Sequence, residues 1–83
     1  MNTTQYTANS TPVQIYAPQN CYHTVVVTAS GNDVYLGSST VTTSTGIPLQ
    51  KGVLFEFDVH PFDSLYAVTA TGTAVVSVMF STP

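Results

Sequence analysis

Strict two-residue alternation constrains this chain more than any other feature. Val53, Phe55, Phe57 and Val59 recur at every second position, with Leu54, Glu56 and Asp58 between them. Successive side chains of a strand point to opposite faces, so this run turns its aromatics toward a core and its acids toward water. Ala74 to Phe80 alternates in the same way, with Ala74, Val76, Val78 and Phe80 on one face and Val75, Ser77 and Met79 on the other. Both faces of that run are fairly apolar, so the face with Val75 and Met79 is open to cover by either a partner or a second sheet. No segment carries the 3.6-residue period of an amphipathic helix, so the chain is expected to be all-β.

The rest of the sequence fits that class. Val13, Ile15 and Ala17 lie on one face of a short run that Pro18-Gln19-Asn20 ends. Cys21 to Ala29 contains Val25-Val26-Val27 between threonines, branched side chains that fit a pleated surface and mark a central strand. Ser30-Gly31-Asn32-Asp33 reads as a turn, followed by Val34-Tyr35-Leu36 as the second arm of a hairpin. Thr40 to Leu49 is ambiguous between loop and strand, with Pro48 unable to donate to a ladder. His60 to Ser64 breaks the pattern at a corner, Leu65 to Ala70 resumes it, and Thr71-Gly72-Thr73 leads into the final run as the last hairpin. Six or seven strands with turn signals every eight to twelve residues predict a small antiparallel β-sandwich or a partly closed barrel. Residues 1–11 are polar and unpatterned apart from Tyr6 and Ala8, and are expected to form an extended arm ahead of a single β domain over 12–83.

Eighty-three residues support one core. Charged residues make up only 6% of the chain, so Thr, Ser, Asn and Gln must cover its surface. Such groups stay hydrated without repelling a neighbour and cost less than charges to bury against another subunit. Lys51 is the sole basic side chain and the net charge is −3. That balance removes the counterion-release contribution on which nucleic-acid affinity depends, and it gives no electrostatic hold on an anionic membrane. No run reaches the length of a transmembrane helix, and the N-terminal residues lack the basic start and apolar stretch of a secretory signal, so synthesis in a cytoplasm is expected. Cys21 alone cannot form an internal disulfide, and with His23 and His60 it supplies at most three metal ligands without a recognisable spacing. Neither a metal nor a cofactor is expected. Oligomerisation or docking on a larger scaffold is then the support left to so small a domain.

Candidates for chemistry are few. Glu56 and Asp58 point the same way from one strand, an arrangement open to ion binding but equally that of a solvent-facing surface. Asp58, His60 and Ser64 carry the residue types of a hydrolytic triad without the glycine-flanked elbow that exposes the nucleophile, so no catalytic residue is assigned. Cys21 has no nearby cation to lower its pKa and reads as a small buried hydrophobe. The threonines of Ser38 to Thr45 suggest a water- or glycan-ordering row, but the row is short and lacks a repeat. Tyr with Ser and Thr on an uncharged surface is the composition of protein-recognition patches, a reading open to Tyr6, Tyr16, Tyr22, Tyr35 and Tyr66, with Tyr35 and Tyr66 expected to contact a partner; ordinary strand tyrosines at the margin of a core fit the same pattern equally well. In the arm, Thr3, Thr4, Gln5, Tyr6 and Thr7 are expected to contact a neighbour by adding backbone hydrogen bonds to an exposed strand edge.

Val34-Tyr35-Leu36-Gly37, the Val41 to Leu49 stretch ending Gly46-Ile47-Pro48-Leu49, the strand begun by Gly52, and Leu65-Tyr66-Ala67-Val68 through Thr71-Gly72-Thr73 form a connected pattern. Over roughly residues 24 to 80 it resembles the small β-rich virion proteins of tailed bacteriophages. The resemblance implies a capsid decoration (cement) protein, commonly a homotrimer on local three-fold positions, that binds the major capsid protein and copies of itself on the virion surface. It equally accommodates a tail or fibre module that contacts a host receptor or glycan. No long receptor-binding loop can be placed here, which favours the head over the tail.

Overall fold

The computed structural model describes residues 2–17, 23–60 and 62–80, and among them there are eight strands and no helix. They are β1 (Asn2–Ala8), β2 (Val13–Tyr16), β3 (His23–Ser30), β4 (Val34–Gly37), β5 (Ile47–Leu49), β6 (Leu54–Val59), β7 (Leu65–Val68) and β8 (Ala74–Phe80). The expected turn at Pro18-Gln19-Asn20, with Cys21 and Tyr22, lies outside the described residues, as do the side chains of Asn2, His23 and Phe57.

Two four-stranded antiparallel sheets face each other, ordered β1-β8-β3-β6 and β2-β7-β4-β5. First pairs with last, second with seventh, third with sixth and fourth with fifth. The chain is in effect one long hairpin with its bend between β4 and β5, rolled up until β3 also meets β8 and β4 also meets β7. That is the jelly-roll arrangement, an open sandwich and not a closed barrel. Only the β4–β5 connection joins neighbours in one sheet. The turns at Ser30 to Asp33 and at Thr71 to Thr73 are where the sequence places them, yet each carries the chain across to the opposite sheet instead of closing a hairpin.

The core lies between the sheets. Val25, Val27 and Ala29 of β3 and Ala74, Val76 and Val78 of β8 meet Ile15, Val34, Leu36, Leu49 and Ala67 from the other side, all of them buried. Each fully buried Val contributes about 1.5–3 kcal/mol relative to exposure, so the four valines at the centre of β3 and β8 carry much of the stability of the first sheet. Phe80 lies edge-on to Tyr16, ring centroids 5.1 Å apart at 87°, the arrangement that aligns a ring's positive edge with its neighbour's negative face.

Within the extended arm expected over 1–11, residues 2–8 form the edge strand β1, in unbroken register with β8 from Asn2↔Phe80 to Ala8↔Ala74. Its alternation is nearly hidden because only Tyr6 and Ala8 on its inner face are apolar; Ala8 is buried and Tyr6 packs on the core. Val53 differs from expectation. β6 begins one residue later, after a turn in which Val53 N–H donates to the Gln50 carbonyl at 3.1 Å, and Val53 stays exposed.

A second, smaller cluster forms on the outer face of the sheet containing β4. Val41, in the loop over 38–46, is buried although it lies outside the main core. The loop can close only because Gly37 and Gly46 have no side chain: a Cβ at Gly37 would meet Val41 Cγ2 at 2.7 Å, and one at Gly46 would meet Tyr35 Cβ and Val41 Cγ2 at 2.8 Å.

Candidate functional site

The surface differs most from an ordinary small domain along the seam between β5 and β6. These strands are edges of opposite sheets, and no further strand lies beyond either among the described residues. Three bulky apolar side chains stand open there: Leu54 is 66% exposed, Ile47 59% and Val53 46%. They line a groove of about 370 Å³ with Leu49 and the half-buried Phe55. A second cavity of about 180 Å³, lined by Leu36, Gly37, Ile47, Phe55 and Leu65, adjoins it through the shared Ile47 and Phe55. Leu54 reaches solvent because it occupies the outward register of β6, in line with Glu56 and Asp58, so alternation alone directs it away from the core. The turn before β6 is held in place by Gly52 N–H donating to the Ala29 carbonyl at 2.9 Å and Lys51 N–H donating to Asp33 Oδ1 at 2.9 Å.

At the far end of β6 stands Phe62, 74% exposed. Its backbone has φ 67°, and the other positive-φ residues among those described, Gly31, Gly52 and Gly72, are all glycines. A bulky L-residue held there costs about 1–3 kcal/mol, strain that persists only where the surroundings impose it. Asp63 N–H donates to the His60 carbonyl at 3.2 Å and closes the turn that presents the ring.

The residues singled out by sequence do not form one surface. In β1, Thr3, Gln5 and Thr7 lie on the outer face, where Gln5 Nε2 donates to Ser77 Oγ at 3.3 Å, while Thr4 and Tyr6 lie on the inner side. Tyr35 and Tyr66 share the outer face of the other sheet, both half-buried, through the pairs Tyr35↔Val68 and Gly37↔Tyr66. Tyr35 also borders a polar cavity of about 150 Å³ with Asn32, Asp33, Ala70 and Thr71. Asn32 Nδ2 there donates to the Thr73 carbonyl at 2.7 Å, and Asp33 holds Lys51, so both side chains brace turns.

Asp58 and two of the candidate threonines have structural duties. Asp58 Oδ1 accepts from Thr24 Oγ1 at 2.9 Å across β3 and β6. Thr42 and Thr45 direct their hydroxyls into their own turn: Thr45 Oγ1 accepts from Thr42 N–H at 3.0 Å, and Thr42 Oγ1 accepts from Ser44 and Thr45 N–H. These threonines cap a loop instead of presenting a row of hydroxyls. Among the described residues, no three His, Cys, Asp or Glu side chains gather to hold a metal ion.

No family model, curated protein or solved structure matches the chain. The seam and Phe62 escaped the sequence reading, although each left a trace. Leu54 interrupts the acidic face of an otherwise regular alternation, and Phe62 places an aromatic inside a turn.

Proposed function

We propose that this chain is a non-enzymatic structural protein of a virus particle, a decoration protein that binds the outer surface of a phage head and stabilises the shell across subunit joints. Its partners on this reading are the major capsid protein and further copies of the chain, in a trimer. The observation that carries the proposal is the open seam: Ile47, Val53 and Leu54 stand exposed beside a groove on a chain with a single basic side chain. A contiguous apolar strip on so small a domain is a surface awaiting cover. The jelly-roll order is compatible with the reading but does not decide it, because the same arrangement builds both viral shell and lectin domains.

The test is the copy number and position of the chain in purified particles, by quantitative gel and by imaging of the shell. Copies spread over the whole head are expected. A handful at the tail tip would replace the proposal with a second reading, a receptor- or glycan-binding module. One observation favours that alternative: an aromatic ring, an amide and a carboxylate from Tyr35, Asn32 and Asp33 border one polar cavity, the side-chain types that sugars engage.

A further inference from the structure

We infer that the chain associates head to tail with copies of itself, Phe62 of one copy seating in the β5–β6 groove of the next. The two features sit at opposite ends of β6, whose six residues span roughly 20 Å, so one copy cannot fill its own groove with its own ring. The 74% exposure of Phe62 agrees. The groove is large enough for the ring and shares its apolar chemistry. An apolar cavity of about 150 Å³ holds a benzene ring; the groove measures about 370 Å³ and is lined by Ile47, Leu49, Val53, Leu54 and Phe55.

Charge points to the same occupant. Lys51, the chain's only basic side chain, is exposed on the turn that forms the groove rim, and Asp63 is exposed directly beside Phe62. Seating the ring brings the Asp63 carboxylate of one copy toward the Lys51 ammonium of the other. Pairing two β6 edges about a two-fold axis would instead set Glu56 and Asp58 of each copy against the same acids of the other, a repulsive arrangement. The strain at Phe62 fits as well, because a positive φ at a bulky residue holds the ring out on a fixed turn, already ordered for docking.

A head-to-tail contact uses different surfaces on its two sides, so it closes into a ring or continues as a filament. The inference deepens the proposed function by naming the self-contact, and it rests on that reading only for closure at a three-fold position. The experiment is sedimentation of the full chain across the micromolar range. Wild-type protein is expected to associate, whereas Phe62→Gly and Leu54→Glu each weaken association by at least about 30-fold, as loss of an interface anchor does. At dilutions where the wild-type chain is monomeric, both variants are expected to keep its melting temperature or exceed it, which shows that each still folds. Mixing them leaves one intact ring and one intact groove per pair, and one-to-one dimers are expected. Lys51→Glu weakens association, and adding Asp63→Lys restores it. Wild-type chains that remain monomeric, or a mixture that yields no dimers, would overturn the inference. Association without the chain appearing in particles would remove the virion reading alone, and monomers in solution with abundant copies on particles would remove the inference alone.

Discussion

Along the side where β1 and β2 run, the two edge strands pack against each other and bury Ala8, Ile15 and Tyr16; along the side where β5 and β6 run, no comparable packing joins the edges, and Ile47, Val53 and Leu54 face solvent. Both sides are made by consecutive strands that pass from one sheet to the other, so topology does not account for the contrast. Local sequence does. β2 slips register between Gln14 and Tyr16, and a bulge lets the adjacent residues Ile15 and Tyr16 both turn inward. That adds one large side chain to the closing edge, and Phe80 receives its ring. β5 has only three residues, one of them Pro48, and β6 keeps a regular alternation that sends Leu54 outward. A single extra inward residue closes one seam, and its lack leaves the other open.

Substitutions should separate the two sides by size of effect. Tyr16→Ala, at the closed seam, removes a buried ring and is expected to cost about 3–5 kcal/mol in urea unfolding, a large part of what a domain of this size possesses. Gly37→Ala comes next, at about 1–3 kcal/mol, because the new methyl meets Val41 Cγ2. Combined with Val41→Ala, it should cost less than the sum of the single variants by about 1 kcal/mol, whereas Gly46→Ala gains no such relief because Tyr35 and the Thr42 carbonyl also stand in its way. Phe62→Gly is expected to raise stability by about 0.5–1 kcal/mol in thermal unfolding, by relieving the positive φ. Leu54→Thr, at the open seam, should change monomer stability by less than about 0.5 kcal/mol. An open-seam loss as large as that of Tyr16→Ala would mean that the two sides are equally closed and would undo the comparison.

The long alternating runs at β6 and β8 were legible in the sequence because a buried face and a solvated face impose a period of two, and Val25 to Ala29 was legible because its branched residues sit at the centre of a sheet. β1 was not: its inner face needs only Tyr6 and Ala8 to meet the core, too few apolar positions to stand out among threonines. Turns were legible from Gly, Asn and Asp, but composition does not say whether a turn returns the chain to the same sheet or carries it across. Val41 was hidden for a different reason. Its burial depends on a loop folding over two glycines, contacts that no periodicity encodes. Exposure at the seam was equally out of reach, since whether Leu54 meets solvent or a second layer depends on how the sheets stack.

The rolled hairpin has a consequence for how the chain folds. Gln5 and Ser77 meet across 72 positions of sequence, and each successive strand pair inward from them is closer in the chain, down to β4 and β5. Pairing that starts at this bend closes short loops first and leaves the costliest closure, β1 onto β8, for last. Folding is then expected to run in milliseconds to seconds, slow for so short a chain. Before that final step β8 exposes a bare edge of seven residues, the place where a chain caught part-way would take a strand from its neighbour.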